Sequence, residues 1–182
     1  MTASQLTTPV HVRTTLETIG QSFSLPLEYS LTIETALQIY KNWFLDQKKQ
    51  PTPIKEDEQY FYKEMFKHLS LIFISRNVEL ANDSKVGGRE LLHAANEDIA
   101  LHTKFCKAAL NIYRSVGVKY ARQLMPDTWE CLLKVVLGIA DFMLSQSRGA
   151  SMVAEQLVSD LINVCFLFLA CHSNCIVCID IV

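Results

Sequence analysis

The stretch DTWECLLKVVLGIADFMLS at 127–145, with QSRGA at 146–150 and SMVAEQLVSDLINVCFLFLAC at 151–171, decides the fold class. Asp127 and Glu130 have the spacing of a capping box, in which the first carboxylate accepts a free first-turn N–H and the second reaches back, and Pro126 stops whatever precedes them. Trp129, Leu132, Leu133, Val136, Ile139, Ala140 and Met143 then recur on one helical face. Polar residues and Gly149 break the run. Ser151 can cap a second helix, whose stripe is Ala154, Leu157, Val158, Leu161, Val164 and Phe168. A turn this short makes the two helices antiparallel neighbours.

Working outward, the chain repeats that grammar. Thr8 and Pro9 stand as N-cap and first helical residue, Val12, Leu16 and Ile19 form a stripe, and Gly20 sits where a C-terminal glycine belongs. Pro26 drives Leu25 out of helical geometry and makes a linker. From about Leu31 to Asp46, the residues Ile33, Ala36, Leu37, Tyr40, Trp43 and Phe44 cover a wide apolar face. Residues 47–58 carry two prolines and mixed charge and read as a surface loop, with Glu56, Asp57 and Glu58 supplying negative charge at the next helix N-terminus. Phe61, Met65, Leu69 and Ile72 predict a third long helix over about 57–74. Ser75 to Arg89 reads as a long loop. Leu91, Leu92, Ala95, Ile99, Phe105, Ala109 and Ile112 predict two helices with a break near 96–98, ending by Gly117, and a short helical segment follows at about 118–125.

No window of four to eight residues alternates as a strand would. The sequence therefore predicts an all-α fold of six or seven amphipathic helices, stacked as an irregular HEAT- or armadillo-like solenoid, because the intervals between helix starts are uneven. Residues 1–8 are expected to be disordered, 9–172 to form the helical domain, and 173–182 to be a divergent apolar, cysteine-rich tail.

Composition narrows the chemistry. The chain has 182 residues, 49% of them hydrophobic and 20% charged, which is ordinary for one globular domain. Seventeen Lys and Arg against nineteen Asp and Glu give a net charge of -2, so a broad nucleic-acid surface is not expected. No secretory leader is legible at the N-terminus, and a cytoplasmic location is the default reading. The six cysteines then read as free thiols.

Candidate sites are few. Cys171, Cys175 and Cys178 have spacings of four and three that could hold an iron–sulfur cluster, yet they also continue the stripe of Val164 and Phe168, where cysteine acts as a small hydrophobe. No metal or cofactor is expected. Leu161–Ala170 is almost wholly apolar but is followed by His172, Ser173 and Asn174, so a buried core helix is favoured over a membrane span, which wants about 20 apolar residues. His11, His68, His93, His102 and His172 show no ligand spacing within a carboxylate cluster, and His68, on the apolar face of its helix, reads as a hydrogen-bonded core or rim histidine. Gly87-Gly88 lacks the Lys-Ser/Thr ending of a phosphate loop, and no serine sits in a nucleophile elbow. No enzyme is expected.

Three collinear segments carry a family resemblance: FSLPLE (23–28) continuing to IYKNW (39–43); DTWECLL (127–133) with IAD (139–141); and VAEQL (153–157) through LAC (169–171). Over roughly 15–175 they resemble the N-terminal region of the non-catalytic beta subunit of Ral GTPase-activating complexes, in the tuberin-related family. The resemblance implies a long helical region ahead of a Rap/Ran-type activator domain, and pairing with a catalytic alpha subunit to accelerate GTP hydrolysis on Ral. The beta subunit supplies no catalytic asparagine, so no catalytic residue carries over. Residues 77–98 are longer than the family's connection. The chain also ends where the family continues, so a scaffold fragment without the activator domain is expected, and the alternative is a tail-anchored helical protein of independent role.

Overall fold

The computed structural model describes residues 6–74, 88–145 and 151–179, with 88–95, 151 and 171–179 given as backbone alone. The described elements are seven α-helices and two single 3-10 turns, with no strand among the described residues, so the fold is all-α. The helices are α1 (Pro9–Ser22), α2 (Ser30–Leu45), α3 (Thr52–Glu56), α4 (Glu58–Ser70), α5 (Gly88–Lys119), α6 (Pro126–Ser145) and α7 (Ser151–Ile179); the 3-10 turns are Leu27–Tyr29 and Leu71–Phe73.

The start of α1 follows from its first two residues. Thr8 accepts a hydrogen bond from the His11 N–H at 3.3 Å, and Pro9 occupies a first-turn position where no N–H is needed. In α2 the six buried residues, Ile33, Ala36, Leu37, Tyr40, Trp43 and Phe44, are the six that the 3.6-residue period selects. The faces so defined sort the helices into two rows. One row runs α1, α4, α6; the other runs α2, α5, α7; and α1 against α2, α4 against α5 and α6 against α7 close the gap between them.

Aromatic side chains fill that gap. The Phe23 ring meets Tyr40 edge-on at 4.9 Å, Phe44 stacks on Phe66 at 5.3 Å, Phe66 contacts Tyr113 at 6.0 Å, and Trp129 meets Phe168 at 5.9 Å. Such pairs add about 0.5–1.5 kcal/mol each beyond the area they bury. Polar ends are tied down too. Tyr113 donates from its hydroxyl to the Phe66 carbonyl at 2.7 Å, and His102 Nε2 donates to the Ile72 carbonyl at 2.8 Å, satisfying a carbonyl freed where α4 gives way to the 3-10 turn.

Several expectations change. The break near 96–98 is absent: α5 is one continuous helix of 32 residues, and Asn96 and Glu97 lie on its exposed face, where polar residues cost no packing. Gly117 lies inside this helix and does not end it. A Cβ there would fall well inside contact with the Phe168 ring, so α7 packs on bare backbone at that point. Gly20 likewise is not a cap; α1 continues to Ser22, and a Cβ on Gly20 would lie 2.5 Å from His68 Cγ.

Residues 120–125 are a turn, closed by Leu124 N–H on the Tyr120 carbonyl at 3.0 Å, and not a helical segment. The proline-bearing loop contains α3, because Pro53 falls in its first turn, where proline is tolerated. The capping box does not form. Met125 holds the cap position, its carbonyl accepting from Thr128 and Trp129 and its N–H donating to Gln59 Oε1 at 3.0 Å. Asp127 instead pairs with Lys63 at 2.8 Å, and Glu130 with Lys134 at 2.6 Å. The Ser75–Arg89 loop lies outside the described residues over 75–87, after which Gly88 already opens α5.

Candidate functional site

An exposed apolar surface lies where both rows end, on the outer side of α6 and α7. It arises because α7 carries two apolar stripes. The inner one, Val153, Ala154, Leu157, Leu161, Val164 and Phe168, is buried against α5 and α6. The outer one, Ile162, Phe166 and Leu169, is spaced four and three residues apart and faces solvent, with Phe166 69% exposed. Leu137 and Leu144 extend it onto α6, Leu144 being 68% exposed.

Between the helices runs a groove of about 180 Å³, lined by Ala140, Leu144, Val158, Ile162, Cys165 and Phe166 among others, without a charged side chain. Val158, expected in the core stripe, belongs to this groove. A second groove of about 280 Å³ lies between the end of α4 and α6, lined by Phe73, Ile74, Lys134, Val135 and Phe142 among others. Contiguous apolar patches of this kind mark protein or membrane contacts more often than solvent surface. Met152–Ala170 is long and apolar enough to cross a bilayer, but a third of it is buried inside the fold, 33%.

The chemistry around this face is quiet. Burial raises the thiols of Cys131 and Cys165 above their ordinary range, which keeps them protonated and poor nucleophiles. Cys106, Cys131 and Cys165 are free thiols. Cys171, Cys175 and Cys178 lie on the α7 backbone, and their side chains fall outside the described residues, as do those of His93 and His172. Glu58 stands in the first turn of α4, where its charge complements the helix N-terminus. At the other edge of α6, the Lys63 ammonium holds the Asp127 carboxyl below its usual range, and Asp127 raises Lys63 in return.

His68 is a hydrogen-bonded rim histidine, 8% exposed, with Nδ1 2.8 Å from the Tyr40 hydroxyl and Nε2 3.4 Å from Glu17. The structure adds what the sequence did not reveal. Glu64, one turn before His68 on α4, and Glu17, from α1, each bring a carboxylate oxygen within 4.8 Å of a His68 ring nitrogen and of one another. Glu64 and His68 at i and i+4 were legible as one face; Glu17 joins them only through the packing of α1 on α4.

Comparison with known proteins finds several similar chains. The family described as the RALGAPB N-terminal domain matches residues 98–180. The beta subunit of the mouse (Mus musculus) Ral GTPase-activating protein is 26% identical over 167 residues, covering 90% of this chain and 10% of the subunit. The human (Homo sapiens) beta subunit is 25% identical over 165 residues, 88% of this chain and 10% of the subunit. A Rap-GAP domain-containing protein of Dictyostelium discoideum is 40% identical over 73 residues, 40% of this chain and 4% of that protein. The chain thus spans about a tenth, 10%, of the length of the beta subunits it matches. No solved structure is significantly similar to it. The similarity to the beta-subunit N-terminal region, read from three collinear segments, holds across nine-tenths of the chain, 90%.

Proposed function

We propose that this chain, similar to the Ral GTPase-activating protein beta subunits, works as a non-catalytic scaffold region of a cytoplasmic complex that activates GTP hydrolysis on Ral, and acts through protein contacts alone. The observation that carries the reading is the alignment to the beta subunits over 90% of the chain. The two rows fit a stretch of irregular solenoid, and its end face at α6 and α7 supplies the contact surface: apolar, uncharged in its groove and suited to a partner's apolar helices. The partner in this reading is the catalytic alpha subunit, through which Ral is reached indirectly.

The test is co-precipitation of the full chain, tagged at Met1, with the alpha subunit, counted by mass spectrometry. Recovery in near-equal amounts supports the proposal, and absence with the chain folded removes it. Phe166→Glu combined with Leu144→Glu is expected to lower that recovery by at least about tenfold, the equivalent of roughly 1.4 kcal/mol. Because both side chains are more than two-thirds exposed, at 69% and 68%, the melting temperature should hardly move.

A second reading, a tail-anchored helical protein, rests on Met152–Ala170. Alkaline carbonate extraction separates the two. A chain that stays in the membrane pellet is anchored; one released to the supernatant is held by protein contacts.

A further inference from the structure

The strongest unexplained arrangement lies away from the apolar face, where α1 packs on α4. His68 is almost wholly buried, and its ring is fixed on both sides. Gly20 lets the backbone of α1 come against the ring face, and the Tyr40 hydroxyl sits 2.8 Å from Nδ1.

That hydroxyl has one proton, and it donates it to the Leu16 carbonyl at 3.2 Å. With that proton on Leu16, the oxygen accepts from His68 and Nδ1 carries the ring proton. The consequence falls on the other nitrogen. In a neutral imidazole, Nε2 then presents a lone pair outward, and what it meets is the carboxylate of Glu17 at 3.4 Å, with a Glu64 oxygen within 4.8 Å of both. A lone pair facing two carboxylates is repulsive; a proton on Nε2 relieves this as an ion pair with Glu17, and a metal ion relieves it by binding all three side chains.

From this geometry we infer that Glu17, Glu64 and His68 form a binding site for one divalent cation of the zinc class, with the Tyr40 hydroxyl holding the histidine in the tautomer that binds it. Ligands at about 2.0–2.1 Å around a tetrahedral ion stand roughly 3.3 Å apart, close to the His68–Glu17 separation. Imidazole is a borderline donor that suits zinc, carboxylate oxygens also bind it, and the charge of the two carboxylates matches a dication. A histidine ligand that gives its other N–H to an oxygen is the arrangement by which proteins orient such ligands. Glu64 Oε1 also holds Lys67 at 2.7 Å, leaving Oε2 for the ion. Glu17, with its side chain 58% exposed, leaves the outer coordination positions open to water. The site would tie α1 to α4, two helices of the same row, which also meet where the Arg13 guanidinium lies over the Tyr60 ring at 4.8 Å.

The test is titration of the reduced full-length chain with cobalt(II), read by visible absorption, followed by competition with zinc. The expected result is one equivalent bound, with ligand-field bands and without the near-ultraviolet charge-transfer band that thiolate ligands give. Glu17→Gln is exposed and leaves the fold intact; it should abolish those bands, as should His68→Gln. Tyr40→Phe keeps the ring and removes the acceptor oxygen, and it should weaken binding by about tenfold or more. Absence of binding, a thiolate band that survives Glu17→Gln and so reports the cysteines, or an unchanged affinity in Glu17→Gln would each overturn the assignment. Dichroism melts of every variant show which of them are folded, and Glu17→Gln alone suffices if His68→Gln is not.

Discussion

Replacing Phe168 with alanine is expected to destabilise the protein by about 3–5 kcal/mol, the range for an aromatic ring removed from a sealed core. Nothing of Phe168 reaches solvent, at 0% exposure; its ring lies edge-on to Trp129 and directly over the backbone of Gly117. It is the point where α5, α6 and α7 meet. Since domains of this size are stable by only about 5–15 kcal/mol, the loss is a large part of the whole. Gly117→Ala is expected to destabilise by roughly 1–3 kcal/mol, because the new methyl enters the ring and the ring has no room to yield. In the Phe168→Ala background the same change should become neutral or favourable by up to about 1 kcal/mol, the helix preference of alanine over glycine. Urea unfolding of the four chains forms a double-mutant cycle; strictly additive losses would sink the account.

Alkaline pH is expected to unfold the chain through its buried tyrosines. Burial first, and the nearby negative charges of Glu17 and Glu64 second, raise the Tyr40 hydroxyl far above the ordinary tyrosine range. Burial likewise raises Tyr113 well above it, and Tyr62 shifts in the same direction. In the unfolded chain these hydroxyls ionise near pH 10, about their unperturbed value. The folded pKa is the higher one, so the stability is fully present below about pH 10 and falls above it, by about 1.4 kcal/mol per pH unit for each tyrosine. Tyr40 and Tyr113 together then cost about 3 kcal/mol by pH 11. The check is a series of melts from pH 9 upward, with tyrosinate absorbance recorded beside helical dichroism. Full ionisation of all six tyrosines while the helices persist would contradict the burial argument. Tyr113→Phe should remove its share of the slope, at a cost of about 1–3 kcal/mol at neutral pH for the Phe66 carbonyl it leaves without its donor.

Legibility in the sequence followed the range of the interaction. The α2 face was readable because burial there is decided by a single period, and Tyr40 and Trp43 fall on it regardless of what covers them. The family segments were readable for the same reason, since collinear apolar spacing survives at 26% identity. Asn96, Glu97 and Asp98 misled because three polar residues in a row look like a boundary, whereas on a helix this long they occupy only part of a turn and the flanking stripe continues beyond them. Asp127 and Glu130 misled because two lysines, one of them from another helix, out-competed the local cap. The outer stripe of α7 could not be told from a core stripe, since Ile162 and Phe166 have the same chemistry as Leu161 and Phe168. The cluster at His68 was out of reach, because Glu17 and Glu64 are neighbours only once α1 lies on α4.

The contact between Gly117 and Phe168 also sets an order on how the sequence can drift. A side chain cannot be gained at 117 while the ring stands over it, so mutation there is blocked until 168 has first become small. Loss of the ring is itself a large step, which leaves each position guarding the other. Among distant relatives whose overall identity has fallen to a quarter, such a pair should change together or not at all, and glycine at one place with an aromatic at the other would identify shared helix packing where single residues no longer do.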